Sequence, residues 1–183
     1  MKKVVFGGSR TLGRLSGAIR DRADNIMAQG YVMLIGDANG ADRAMQEYLA
    51  QKGYTHVLIF CAGTTCRNNV GEWETRFVPS DRPRKDFHHY VIRDEKMIEE
   101  ADYGFMMWDG KSKGTLNNIV NLLEMHKPVL VYLSPRKMFL TLKSKDDLPG
   151  LLSSCDQDAV ESLENSLGLS RRIHAGESRL GFR

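Results

Sequence analysis

The sequence predicts an α/β protein: a Rossmann-like, doubly wound parallel sheet of about five strands with a short helical C-terminal appendage. Three observations predict it. Short apolar runs rich in β-branched residues recur through residues 1–133, each of strand length. Stretches with apolar residues at helical spacing separate them. Several of the runs end in glycine-bearing turns that lead into a helix, the punctuation of a βα unit. Strands that are apolar on both faces and alternate with helices pair in parallel through right-handed crossovers.

The central unit is Tyr31 to Gln51, YVMLIGDANGADRAMQEYLAQ. Val32, Met33, Leu34 and Ile35 form a strand, and Gly36-Asp37-Ala38-Asn39-Gly40 is too rich in turn formers to continue it. Ala41, Ala44, Met45 and Tyr48 then fall on one helix face, with Asn39 placed to cap the helix and Asp42 in its first turn. A turn of this kind presents backbone N–H groups at a helix N-terminus, which suits phosphate. It serves equally well as a purely structural connection.

Ahead of this unit, Lys3 to Phe6 gives a first strand ending in Gly7-Gly8-Ser9-Arg10, where Gly-Gly admits close approach of a ligand and Ser9 can cap the next element. A helix over about residues 15–29 carries Ile19, Ala23, Ile26 and Met27, and Gly30 ends it. There is neither a Gly-Lys-Ser/Thr nor a complete GxGxxG, so this is no Walker loop or dinucleotide fingerprint. Beyond the unit, His56 to Cys61 is a third strand. An irregular segment continues from there to about Lys85, holding Arg67, Asn68, Asn69, Trp73, Glu74, Arg76, Arg82 and Arg84, with Pro79 and Pro83 barring helix in its second half. Connections this long inside a compact domain are usually functional lids or disordered. Trp73 beside Glu74 and Arg76 is suited either to stacking a base or to pinning the loop onto the core.

Asp86 to Ala101 reads as a helix whose inner face is Phe87, Tyr90, Val91, Ile98 and Ala101. Asp94 falls on that face, so it must be hydrogen-bonded, paired or turned to a cleft. His88-His89 is no chelate, because adjacent helical residues point about 100° apart. Tyr103 to Trp108 is a fourth strand, Asp109 to Gly114 another glycine-bearing loop, and Thr115 the expected cap of a helix carrying Leu116, Ile119, Val120 and Leu123. Pro128 to Leu133 is the fifth strand. The glycine-bearing loops after strands one, two and four converge on the carboxyl edge, where such sheets bind ligands.

Residues 1–133 are thus expected to form a nucleotide-binding domain, and 134–183 a helical extension with an amphipathic helix over Gln157 to Leu167 and a basic tail from Ser170. The net charge of +3 accommodates an anionic ligand without demanding DNA, and no apolar run approaches the ~18 residues of a membrane helix. Three cysteines, Cys61, Cys66 and Cys155, in a chain without a secretory leader predict reduced thiols in a cytoplasmic protein. Cys61 and Cys66 lack zinc-site spacing, so neither metal nor cofactor is expected.

The segment Arg93 to Thr115, RDEKMIEEADYGFMMWDGKSKGT, resembles the matching segment of the LOG (lonely-guy) phosphoribohydrolases at Arg93, Met97, Ala101-Asp102, Phe105, Gly110 and Gly114-Thr115. GDANGADRAMQEYLA is similar to the second βα turn of the wider Smf/DprA–LOG (SLOG) superfamily, and the likeness covers most of residues 1–133. It implies a nucleotide or nucleotide-derived ligand and a homodimer or higher homo-oligomer. LOG enzymes carry a catalytic glutamate after Gly-Thr, in G-T-x-x-E; here the position is Asn118, an amide that can neither take a proton nor stabilise an oxocarbenium-like charge as a carboxylate does. Asp109-Gly110-Lys111 replaces the PGG of that family, in a loop one residue longer. Recognition without LOG-type hydrolysis is the expectation.

The expected ligand site is Gly8, Ser9 and Arg10 toward the ribose or base, the Gly36, Asp37 and Gly40 turn, and Asp109, Gly110, Ser112, Gly114 and Asn118. Arg93 and Thr115 are expected to meet on one phosphate, assisted by Lys111 and Lys113; otherwise Arg93 pairs with Glu95, Glu99 or Glu100 on the surface. The protein would then be a sensor or binding protein. The alternative is an N-glycosidase acting on nucleoside monophosphates through displaced carboxylates, with Asp37, Asp42, Asp94, Asp109 and Glu74 as candidates. Nucleic acid is disfavoured as a partner because no basic–aromatic cluster is visible, and no membrane association is expected.

Overall fold

The apolar runs become strands buried on both faces, as in Val4, Val5 and Phe6 of β1 (Lys3–Gly8) and Met33, Leu34 and Ile35 of β2 (Val32–Gly36). The structure is a computed structural model that describes residues 1–79 and 87–174. The remaining strands are β3 (Val57–Ala62), β4 (Glu74–Val78), β5 (Tyr103–Trp108), β6 (Val129–Leu133) and β7 (Met138–Leu142). The helices are α1 (Gly17–Ala28), α2 (Ala41–Gln51), α3 (Phe87–Glu100), α4 (Lys113–Glu124), α5 (Leu148–Leu152), α6 (Gln157–Leu167) and α7 (Leu169–His174).

The strands form one sheet in the order β4-β3-β2-β1-β5-β6-β7, parallel throughout except for the antiparallel β6–β7 pair. The architecture is the expected Rossmann-like one, with seven strands where about five were expected. The two additional strands, β4 and β7, are the edges. An edge strand needs no apolar run, and the mixed polarity of ETRFV conceals β4: Glu74 and Phe77 are exposed and only Val78 is buried. β7 folds back on β6 through the turn Ser134–Arg136, with Lys137 at a positive φ of 50°. Residues 134–142 therefore extend the sheet before the C-terminal helices begin.

Two cores fill the faces. On one, Phe6, Ile35 and Phe105 pack beneath Ile19 and Ile26 of α1 and Met45 and Leu49 of α2. On the other, Val5, Leu34 and Trp108 pack beneath Ile98 of α3 and Leu116 and Val120 of α4, joined by Leu148, Leu151, Leu163 and Leu169 from α5, α6 and α7. Arg172 of α7 ties this end to α4, donating to Asn117 Oδ1 at 2.9 Å and to Asn121 Oδ1 at 2.6 Å. No helix among the described residues is long and apolar enough to cross a membrane.

Local details differ from expectation. Ser16, not Ser9, caps α1. Gly40 is the N-cap of α2 and supplies no side chain, while Asn39 Oδ1 accepts from Asn68 Nδ2 at 3.0 Å instead. Ser112, not Thr115, caps α4, accepting from the Thr115 N–H at 3.4 Å. Cys61 and Cys66 are joined in a disulfide rather than reduced: the turn after β3 returns the chain so that their Cα atoms lie 5.2 Å apart, within bridging range. Among the described residues only Cys155 is a free thiol. Arg82, Pro83, Arg84 and Asp86, and the tail beyond His174, lie outside the described residues.

Gly8 shows how tightly β1 is fitted. A Cβ there would lie 2.5 Å from the Met107 carbonyl oxygen and 2.6 Å from Ala41 Cβ, neither of which is a flexible side-chain end. Gly8→Ala is therefore expected to cost about 1–3 kcal/mol of stability through overpacking, measured by urea unfolding.

Candidate functional site

The chain leaves β1 in one direction toward β2 and crosses to β5 on the other side, so the loops at their carboxyl ends diverge and open a crevice. A cleft of about 510 Å³ occupies this position. The carboxyl end of β1 contributes Gly7 and Gly8, the loop after it Arg10 and Thr11, and the start of α2 Asp42. Phe87, Tyr90, Arg93, Asp94 and Met97 come from α3. Asp109, Lys111, Ser112, Gly114, Thr115 and Asn118 come from the β5–α4 loop and α4.

At the base of the cleft Arg93 is buried and committed to carboxylates. Its Nε and Nη2 donate to Asp94 Oδ1 at 2.8 and 2.5 Å, and its Nη1 donates to Asp37 Oδ1 at 2.5 Å. Asp37 is shared with Arg67, whose Nη2 lies 2.5 Å from Oδ1 and whose backbone N–H lies 3.0 Å from Oδ2. Asn118 Nδ2 donates to Asp94 Oδ2 at 3.0 Å, and Asp42 Oδ2 accepts from the Ala38 N–H at 3.3 Å. Burial opposes ionisation of Asp37, but the Arg67 hydrogen bonds and the Arg93 charge outweigh it and hold the carboxyl below its usual value. For Asp42 burial wins: despite Arg93, its carboxyl is pushed up to about 7, with Asp94 and Asp37 adding to the rise. Burial likewise works against the Arg93 charge, yet Asp94, Asp42 and Asp37 together make the guanidinium harder still to deprotonate.

Higher in the cleft Asp109 organises the β5–α4 loop. Its Oδ1 accepts from the Lys111 and Ser112 N–H groups at 2.9 and 2.7 Å, and its Oδ2 accepts from the Thr11 hydroxyl at 2.8 Å. These bonds overcome the effect of burial and hold its carboxyl low. Ser9 is fully buried, accepting from the Asp109 N–H at 3.1 Å and lying 3.4 Å from the Thr115 hydroxyl. Lys113 and Gly114 open α4, and their N–H groups are among those that a helix leaves without intrahelical partners.

Of the residues singled out from sequence, Gly8, Arg10, Asp42, Arg93, Asp94, Asp109, Ser112, Gly114, Thr115 and Asn118 all line this cleft. Ser9, Gly36, Asp37 and Gly40 stand behind its wall. Gly36 gives room to the ion cluster, since a Cβ there would meet Asp42 Oδ2 at 2.6 Å and Arg93 Cζ at 2.8 Å. Gly40, at φ +83°, packs against the Arg10 backbone, and Gly110, at φ +78°, lies against Cys155 and Leu133. Glu74 does not join: it begins β4 opposite Leu58, at the amino end of the sheet. Trp73 pins its loop, donating from Nε1 to the Tyr54 carbonyl at 2.8 Å. Arg93 pairs with none of the three glutamates offered to it, because its buried guanidinium is turned to Asp37 and Asp94; Glu100 pairs instead with Lys3 and Arg76, and Glu99 with Lys96. Asp37, Cys61 and Cys66 bring possible metal ligands within 4.8 Å of one another. The two sulfurs are bonded to each other and both Asp37 oxygens accept from guanidinium groups, so the three make no ligand set.

Sequence reasoning missed the aromatic wall. Tyr90 lies under the guanidinium groups of Arg67 and Arg10, at 4.4 and 5.2 Å from its ring centroid, and Lys113 Nζ lies 4.5 Å from that of Phe87. Both aromatics have the spacing of a core face. The available signal was their place in the first turn of a helix entering at the carboxyl edge, beyond the reach of the sheet.

Neither a family model nor a curated protein matches the chain. Among solved structures, it is similar to DNA processing protein A from Helicobacter pylori, whose structure was described for its single-stranded DNA binding mode. The TM-score is 0.50 at 19% identity, covering 71% of this chain and 64% of that one. A DprA-like fold is thereby shown at a distant level. The present chain spans somewhat under two thirds of that protein. The expectation that nucleic acid is disfavoured as a partner is overturned by this likeness, since the chain shares its fold with a protein that binds single-stranded DNA. The basic–aromatic cluster that the sequence did not show is present in the fold: Arg10, Arg67 and Tyr90 are scattered in sequence and meet only there.

Asp42 makes the ion cluster measurable. The folded protein retains a proton that the unfolded chain, titrating near 3.8, has already released, so Asp42 lowers stability progressively as pH rises from 3.8 to about 7. Asp37 and Asp109, held low, act in the opposite sense at the acid end. Urea unfolding across this range is expected to show stability of the wild type falling relative to Asp42→Asn as pH rises.

Proposed function

We propose that the cleft binds a phosphorylated nucleotide unit and that the protein is a nucleotide-binding or sensor protein. The observation that carries this reading is the division of the cleft into three chemically distinct parts. The first turn of α4, flanked by Lys111 and Lys113, suits a phosphate. Phe87 and Tyr90 on α3 offer a wall against which a base or sugar packs. Asp42, Asp94 and Asn118 form a hydrogen-bonding floor. In this reading the phosphate goes to α4 rather than to Arg93, whose donors are spent on Asp94 and Asp37. With Asn118 in place of a carboxylate, recognition does not lead to LOG-type hydrolysis.

A second reading, single-stranded nucleic acid, is favoured by the likeness to DNA processing protein A. Arginines beside an aromatic at the cleft edge, as Arg10 and Arg67 are beside Tyr90, suit a strand threaded across the cleft mouth.

Thermal unfolding with nucleoside 5′-monophosphates, the matching nucleosides and a single-stranded oligonucleotide separates the readings. The monophosphates are expected to stabilise the protein, by about 2.7 kcal/mol at 100 times the dissociation constant, and the nucleosides to do so far less. Equal shifts from nucleosides, or none from monophosphates, contradict the first reading. Stabilisation by the oligonucleotide alone, falling steeply with salt, establishes the second.

A further inference from the structure

Arg67 stands beside Tyr90 at the cleft mouth because the turn after β3 is folded back on itself. The turn starts from a fixed point: Cys61 is fully buried in β3, and the Gly63 N–H donates to the Val78 carbonyl of β4 at 2.8 Å. It is closed by the bond from Cys61 to Cys66, which is half-buried. The next residue, Arg67, donates to Asp37 three times: from its backbone N–H at 3.0 Å, from Nε at 3.2 Å and from Nη2 at 2.5 Å. Both sulfurs and the Asp37 carboxylate lie within 4.8 Å of one another. A bridge between residues five apart constrains the unfolded chain less than one that closes a long loop. The cores on the two faces of the sheet supply stability without it, so its place at the cleft wall calls for another role.

We infer that the Cys61–Cys66 disulfide is a redox latch on the cleft: closed, it keeps Arg67 on Asp37; reduced, it releases the Arg67 guanidinium to a phosphorylated ligand. This rests on the reading of the cleft as a site for such a ligand. The reductant is a dithiol. One of its sulfurs, as thiolate, attacks Cys66, the outer of the two; the disulfide breaks, and Cys61 leaves as a thiolate that takes up a proton. The second sulfur then attacks the mixed disulfide and releases Cys66. The cystine has gained two electrons and two protons, and the dithiol has closed to its own disulfide. Two thiols cannot stay at bonding distance. Cys61 is fixed in the sheet, so Cys66 moves, and its peptide bond to Arg67 carries the N–H that grips Asp37. Asp37 tolerates the loss because Arg93 Nη1 still donates to it at 2.5 Å, leaving no buried carboxylate unpaired. The Arg67 side chain is already 34% exposed and lies 4.4 Å from the ring centroid of Tyr90, a residue of the cleft wall. Off the carboxylate, its guanidinium presents a fork of donors that matches phosphate oxygens.

The test compares the full chain oxidised with glutathione disulfide and reduced with dithiothreitol. Thiols counted in the unfolded protein are expected to number one in the first state, from Cys155, and three in the second. Backbone hydrogen exchange is expected to quicken on reduction at Arg67 while the β3 amides keep theirs. Calorimetric titration at low salt with the four common ribonucleoside 5′-monophosphates is expected to show at least one binding about tenfold or more tightly to the reduced protein. In Arg67→Gln this redox dependence is expected to vanish. Equal or weaker binding after reduction, unchanged exchange at Arg67, or a redox dependence that survives in Arg67→Gln overturns the latch and leaves the cleft reading standing. Three thiols that glutathione disulfide fails to close overturn it equally. Failure of every monophosphate to bind either state overturns both.

Discussion

A single buried guanidinium holds together the carboxyl edge of the sheet. Asp37 comes directly after β2, Asp42 opens α2, and Asp94 lies on α3; without Arg93 three carboxylates would stand in one poorly hydrated space. Burying charges is costly unless each is paired and hydrogen-bonded. Here the pairing is nearly complete: Arg93 serves Asp37 and Asp94, Arg67 adds a second cation to Asp37, and Asn118 completes Asp94. The remaining imbalance falls on Asp42, whose carboxyl keeps its proton toward neutral pH. The cluster therefore joins β2, α2, α3 and α4 around the cleft and sets its polarity.

The same constraint explains the glycines. Gly36 is bare because Asp42 and Arg93 occupy the space a side chain would need, and Gly8 because the β5 backbone and Ala41 do so. Both have the look of phosphate-loop glycines in the sequence. In the fold they allow strand, helix and ion cluster to approach closely, and the part of the cleft proposed to take the phosphate is instead the start of α4, where Ser112 and Asp109 arrange the loop.

Much of the architecture was legible because it rests on local signals. Central parallel strands must be apolar on both faces, so VVF, VMLI and VLIFC announce themselves. β4 and β7 did not, because an edge strand buries one face at most and its pairing is a long-range event. The convergence of loops on one edge was also readable, being a consequence of topology. The partners of Arg93 were not: Asp37 lies 56 residues away in sequence, and no periodicity relates them. Asp94 was recognisable as a carboxylate in need of a partner, yet that its neighbour Arg93 would curl back to supply one is a matter of side-chain packing. Tyr90 and Phe87 have core spacing and became cleft walls because α3 begins beyond the sheet's edge. The disulfide was hidden for a different reason: an odd cysteine count speaks of compartment, whereas the pairing of Cys61 with Cys66 depends on the path of the turn after β3.

The dependence of this edge on Arg93 is tested most directly by equilibrium urea unfolding of Arg93→Met at pH 8, where the surrounding carboxylates are driven toward their charged forms. Methionine keeps most of the side-chain volume and removes the charge. Leaving Asp37, Asp42 and Asp94 without their shared cation is expected to cost about 3–5 kcal/mol, with the loss shrinking as pH falls and the carboxylates protonate. A loss of at most about 1 kcal/mol, as for a solvent-exposed ion pair, and independent of pH, would contradict the account.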